Sequence, residues 1–309
     1  MSQFCLSHSS LLLLTFQRFG LMAALYLLFI PLQVQAQYPN EAHAPFDIFF
    51  RFQEYYNPAL NGYAAGREVS LGYHNQVGLF SAIRTYYARV NWSSNHDSSD
   101  VRTRHCGGLY FIGNQEGEFI NRNRLAGSYA FHLRLSKNNW LSAGATGNLI
   151  SYAYQSSTAS GGGSDANWSV NAGLSMHGTN YFIGAAVSDI NNPAVNPIAV
   201  PTLLHRYVNV SAGKKFMLNY EWHTWQYALV QFLWDNQYSF QYASVFTYRK
   251  YTAGLSYKYQ SGAGIMLGLE GLMIGRNEFK AIASYKLPLS NLSKLDLNTF
   301  EMSAALKFR

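Results

Sequence analysis

Three groups of residues have the types that chemistry uses. His96, Asp97 and Ser98 are the residue types of a hydrolase triad. Triad members must converge from separate positions in space, whereas these three are neighbours in a run of Ser, Asn and Asp, so they read as a polar loop. Gly161-Gly162-Gly163-Ser164 is glycine-rich like a phosphate cradle but lacks the Lys-Ser/Thr that would hold the phosphates, so it reads as flexible chain. The 9 histidines include no pair at metal-ligand spacing, and no HExxH element or cysteine pair accompanies them. No enzyme, metal site or cofactor is expected from these patterns.

The element with the best-defined local geometry is Asn57-Pro58-Ala59-Leu60-Asn61-Gly62. Pro58 fixes its own φ and Gly62 can take a positive one, which makes a tight turn of defined direction. Phe49, Phe50, Phe52, Tyr55 and Tyr56 precede it. Such a segment suits a lumen plug, a pack of aromatics under a barrel mouth, or a plain turn leading into a first strand.

What positions these residues follows from the bulk of the chain. Residues 1–36 read as a signal peptide: Arg18, the apolar run from Phe19 to Leu32, and the small-x-small pattern Val34-Gln35-Ala36 before Gln37. That run is shorter than the ~20 residues a spanning helix needs. Cys106 is then the one cysteine left in the exported chain, so no internal disulfide is expected. The formal charge of +7, to which Arg18 contributes, is scattered rather than clustered. Tyr248-Arg249-Lys250-Tyr251 interleaves basic and aromatic residues, but on a strand pattern in an exported chain, so no nucleic acid is expected as a partner.

Aromatic residues make up 16% of the chain and charged ones only 13%, against ~25% charged in soluble domains. That balance suits a surface facing outer-membrane lipid. With no apolar run for a helix after residue 36, the other spanning solution is a closed β-barrel, because unpaired backbone cannot face hydrocarbon. The expected alternation is present. Leu125, Tyr129, Phe131 and Leu133 alternate with Arg124, Ala126, Ser128, Ala130, His132 and Arg134, and three more segments repeat the pattern at 251–259, 279–287 and 299–308. Further strands are expected at 67–76, 82–92, 104–113, 140–151, 168–177, 180–188, 205–214, 216–223, 226–234, 238–247 and 263–272. Allowing one misassignment, the fold class is all-β: a transmembrane antiparallel outer-membrane barrel of about 14 strands over 67–309, preceded by an N-terminal segment over 37–66. Tyr86, Tyr87, Trp92, Trp140, Tyr181, Trp234 and Tyr238 read as interfacial girdles.

The N-terminal segment resembles the opening of the type IX secretion system membrane protein family PorP/SprF, where an NPAxxG element follows an aromatic stretch just before the first strand. Asn57, Pro58, Ala59 and Gly62 match it, with Tyr55 and Tyr56 before them. Ile183 to Asn191, Tyr248-Arg249 before Gly254-Leu255-Ser256-Tyr257, and Ala281 to Phe308 with Glu301 resemble later parts of the same family. Thr299-Phe300 before Glu301, and Arg309 after Phe308, depart from its pattern.

The resemblance implies a non-enzymatic accessory component of type IX secretion at the bacterial outer membrane. Its implied partners are the translocon, periplasmic ring proteins and a large adhesin-like secreted protein. The second expectation is a transport channel of porin or hydrophobic-solute type. Arg124, Arg134, Lys258, Glu270 and Glu301, with His132, share the polar face and suit either an anion-preferring channel or a salt-bridged, closed interior.

Overall fold

A computed structural model describes residues 46–63, 66–78, 81–94, 101–156, 161–198, 201–233, 237–259, 261–289 and 298–308. Residues 1–36, expected as a signal peptide, the His96-Asp97-Ser98 run and Trp234 lie outside these.

The strands are β1 (Arg67–Gln76), β2 (Arg84–Ser93), β3 (Thr103–Glu116), β4 (Ile120–Arg134), β5 (Asn139–Tyr154), β6 (Gly163–Gly178), β7 (Tyr181–Ser188), the short β8 (Ala194–Val195) and β9 (Thr202–Leu203), then β10 (Tyr207–Met217), β11 (Trp222–Phe232), β12 (Tyr238–Tyr248), β13 (Tyr251–Lys258), β14 (Gly262–Ile274), β15 (Asn277–Pro288) and β16 (Thr299–Phe308). Among the described residues, fourteen of them form a closed antiparallel barrel in sequential order, sealed where β1 pairs with β16, while β8 and β9 make a separate hairpin between β7 and β10. The two segments expected at 216–223 and 226–234 are in fact one strand, β11, with Phe216 and Met217 ending β10. Asn219 caps the turn between them by accepting the Glu221 and Trp222 amides through Oδ1, a local polar bond that the alternation alone does not reveal.

The alternation sorts the wall as lipid requires. Leu71, Leu109, Leu125, Leu149, Leu174, Ile265 and Leu267 face outward and are exposed, while their neighbours at odd spacing are inward and buried. Trp92, Tyr86 and Tyr238 are exposed on the outer face as girdle residues should be. Tyr87 and Trp140 correct the expectation. Tyr87 is 2% exposed and points inward to Glu54, and Trp140 stacks over His177 on the inner side. Both fall on the inward parity of their strands, which outranks proximity to a strand end.

Both chain ends of the barrel, and the tight turns at 135–138, 179–180, 249–250 and 275–276, lie at one rim, which is therefore periplasmic. The longer connections at 155–162, 189–206 and 289–298 lie at the opposite, extracellular rim. A barrel of fourteen strands is too wide for wall side chains alone to fill, since ~8 strands is the size at which they just meet. Residues 46–63 fill the space. They form three single helical turns, Phe49–Arg51, Gln53–Tyr56 and Pro58–Leu60, and Phe46, Ile48, Phe49, Phe50, Phe52, Tyr55 and Tyr56 form one buried cluster with the inward Tyr87, Tyr110, Leu229, Val245, Met266 and Ile282. The burial of each such side chain contributes ~1.5–3 kcal/mol.

The plug and its docking site

The NPAxxG turn is an internal docking element. Asn57, Ala59 and Asn61 have no exposed surface. Asn57 caps the following turn by accepting the Ala59 amide at 3.0 Å, and its Nδ2 donates to the Leu174 carbonyl of β6 at 3.1 Å. Asn61 donates to Ser128 Oγ at 3.0 Å, Ser175 Oγ donates to the Ala59 carbonyl at 3.1 Å, and Asn209 donates to the Tyr56 carbonyl at 2.9 Å. Three strands, β4, β6 and β10, thus satisfy a turn that water would otherwise hydrate, as buried polar backbone requires. The turn reaches the wall this closely because the inward positions facing it are glycine. At Gly144 a Cβ would stand 2.5 Å from the Ala59 nitrogen and the Pro58 carbonyl carbon, and at Gly173 and Gly184 it would meet the Asn57 side chain. Gly62 sits at φ 71°, a left-handed geometry that lets the chain leave the turn.

His132 completes the turn's exit. Its Nε2 lies 2.9 Å from the Asn61 carbonyl, which can only accept, so Nε2 carries the proton and Nδ1 is left as acceptor toward Ser142 Oγ at 2.5 Å and His177 Nε2 at 3.1 Å. These two histidines stand far apart in sequence, and strand register brings them together.

Charged residues tie the rest of the plug to the wall. Glu54 accepts both contacts of Arg89 Nη1 at 2.7 Å and the Tyr87 hydroxyl at 2.5 Å, while Arg89 also binds Ser70 Oγ at 2.8 Å and pairs with Glu68. Asp47 meets Lys286 Nζ at 3.1 Å, the Thr299 hydroxyl at 2.5 Å and His74 Nε2 at 3.6 Å. The Asp47 and Ile48 amides both donate to Glu301 Oε2. Burial works to raise the Asp47 carboxyl, but Lys286, His74 and Lys258 outweigh it and hold it well below the usual carboxylate range. Asp47, His74 and Glu301 place ligand atoms within 4.8 Å of one another, yet the Lys286 ammonium already supplies the cation there. Lys286→Met is expected to weaken plug docking by ~1.5–3 kcal/mol, the worth of a hydrogen bond to a charged group. The check is the temperature at which the folded band shifts on a semi-native gel; no fall would remove Lys286 from the docking site.

The expected interior charges are placed as follows. Arg124 lies 3.5 Å from Asp189 and over the Tyr55 ring, Glu270 lies 3.8 Å from Arg51 and 3.7 Å from Lys280, and Glu301 holds the plug amides. Lys258 is half-buried near Asp47, and Arg134 sits at the periplasmic rim, bonding the Ser136 and Lys137 carbonyls. At the extracellular rim, Val195 and Leu204 pack on Ile150 and Tyr152, folding the connection between β7 and β10 over the mouth. The polar wall residues Ser128, Ser142, Ser175 and Asn209 are functional members that sequence reading missed. Their inward parity was visible, but nothing local marks which inward serine meets the turn.

Comparison with known proteins follows from this architecture. The sequence model of a family described as "Type IX secretion system membrane protein PorP/SprF" matches residues 40–306. Similar solved structures include the toluene transporter TbuX of Ralstonia pickettii, at 11% identity over 82% of this chain and 92% of that one, with TM-score 0.52. The P. putida toluene transporter TodX is similar at 12% identity over 81% and 91%, with TM-score 0.50. The translocator domain of the autotransporter NalP from Neisseria meningitidis is similar at 11% identity over 85% and 95%, with TM-score 0.50. At these identities the likeness shows the fold alone. No curated protein matches the chain in sequence.

Proposed function

The chain belongs to the type IX secretion system membrane protein family PorP/SprF, and from that premise we propose that this outer-membrane barrel is a non-enzymatic accessory component of type IX secretion. It binds the translocon or periplasmic ring proteins and supports export or surface attachment of a large adhesin-like protein. The observation that carries the reading is the filled interior. The plug is hydrogen-bonded to β4, β6 and β10 and ion-paired to β2, β14 and β15, which suits a rigid scaffold that presents its rims to partners rather than an open pore.

Two measurements on the tagged full chain test it. Purified from detergent-solubilised outer membranes, it should bring with it type IX machinery subunits or a secreted adhesin, identified by mass spectrometry. In planar bilayers it should conduct only rarely. A chain that purifies alone and conducts steadily would sink this reading and support the channel of porin or hydrophobic-solute type.

A further inference from the structure

The barrel wall is incomplete on one side of β6. All of β6 from Gly163 to Gly178 pairs with β5, but only Ala172 to His177 pair with β7, which ends at Ser188. From Ser164 to Val170 the strand therefore has one covered edge and one that, among the described residues, no strand covers. An open edge is a template for another strand unless it is blunted.

Here side chains blunt it. The Ala166 amide donates to Asp165 Oδ1 at 2.9 Å, the Trp168 amide to Asn167 Oδ1 at 2.8 Å, and the Val170 amide to Asn191 Oδ1 at 3.1 Å. Asn191 Nδ2 returns a bond to the Trp168 carbonyl at 2.9 Å. The segment from Ile190 to Asn196 lies along this edge, yet its own backbone adds one strand-like bond, from the Ile190 amide to the Val170 carbonyl at 2.9 Å. Two further contacts run through side chains, Asn167 Nδ2 to the Ala194 carbonyl at 2.7 Å and the Asn196 amide to Asp165 Oδ2 at 2.7 Å. Asp189, just before the segment, and Asn192, within it, sit at φ 51° and 45°, left-handed positions that Asp and Asn tolerate better than other non-glycine residues.

The edge lies on the cell-surface side. A strand needs ~9–11 residues to cross the membrane, and β6 has 16, counted from a tight periplasmic turn at 179–180. Its first residues stand above the outer interface, and Trp168, 60% exposed, marks that level.

We propose that the β6 edge from Ser164 to Val170 is a strand-addition site for an extended segment of an exported polypeptide, which takes the place of the Ile190–Asn196 segment. A peptide strand would give the even-numbered residues of this edge true ladder bonds in place of their side-chain caps. Alternation sets the chemistry of the occupant: apolar side chains on the Ala166/Trp168 side, small or polar ones on the Asp165/Asn167 side. An exported polypeptide is the occupant that reaches this rim from outside the lumen, so the inference rests on the secretion reading above.

The test uses the tagged full chain in its own outer membrane, in a Cys106→Ser background. Asn167→Cys with Ala194→Cys, oxidised to a disulfide, locks the loop onto the edge. Recovery of exported polypeptide with the tagged chain should fall about tenfold on oxidation and return on reduction with dithiothreitol, while machinery subunits are retained. Asn191→Ala, which frees the loop without a crosslink, should raise the recovery about fivefold. Unchanged recovery in both variants, or wild-type chain that brings down machinery but no exported polypeptide, overturns the strand-addition site and leaves the secretion reading standing. A wild-type chain that brings down no secretion partner at all overturns both.

Discussion

Arg89→Ala is expected to unseat the plug. Its guanidinium bridges Glu54 of the plug and Glu68 of β1, with side chains 8% exposed for Arg89 and 3% for Glu54. Alanine leaves two carboxylates buried without a cation, and breaking a buried pair this way costs ~3–5 kcal/mol. The folded band should shift on a semi-native gel at a clearly lower temperature than in wild type, and protease should reach residues 46–63. A second variant separates the charge from the packing. Replacing Arg89, Glu54 and Glu68 together with Met, Gln and Gln should recover much of the loss, because the penalty comes from unpaired charge rather than from the pair's absence. Equal losses in both variants would show that the network does not hold the plug.

Gly144→Val should open the lumen. The new side chain would meet the Pro58 and Ala59 backbone, and backbone inside a bonded turn has little room to give. Overpacking of this kind costs ~1–3 kcal/mol or more, so the population with a displaced turn should rise on the order of a hundredfold. Single-channel recording should turn rare openings into frequent ones. Gly147→Val is the control on the same strand, since a Cβ there meets nothing within 4 Å. If both variants behave alike, the NPAxxG turn is not what closes the barrel.

Much of the fold was readable in the sequence because a lipid-facing wall imposes a period of two that few other environments do. Segments such as 124–135 and 299–308 carry that period cleanly. Reading failed where a second signal competed with it. Their place near strand ends marks Tyr87 and Trp140 as girdle aromatics, but inward parity puts Tyr87 against Glu54 and Trp140 over His177. The expected strand 216–223 runs across the polar turn at Asn219, where β10 ends and β11 begins, and the break expected at 224–225 falls inside β11.

The docking site was legible only in part. Asn57, Pro58 and Gly62 announce a turn because their backbone demands are local. What receives the turn is not local. Gly144, Gly173 and Gly184 come from three strands, and glycine at an inward position of a strand looks the same whether or not a backbone approaches it. The His132–His177 contact likewise depends on the registers of β4, β5 and β6 together.

The contact between the Asp47 and Ile48 amides and Glu301 has a consequence for the order of assembly. The partners are separated by 254 and 253 residues, and Asp47 touches β1, β15 and β16, the strands on both sides of the seam. Contacts of such high sequence separation form late and make folding slow, because a very long loop must close before they reward the chain. The plug threads from the extracellular third of the lumen at Asp47 to the periplasmic third at Asn61, so the wall must zip up around it rather than receive it afterwards. The last strand of the barrel and the plug that precedes the first must therefore meet before the seam can seal. A damaged plug should appear first as a kinetic defect, with open, protease-sensitive sheets accumulating before any loss of finished barrel.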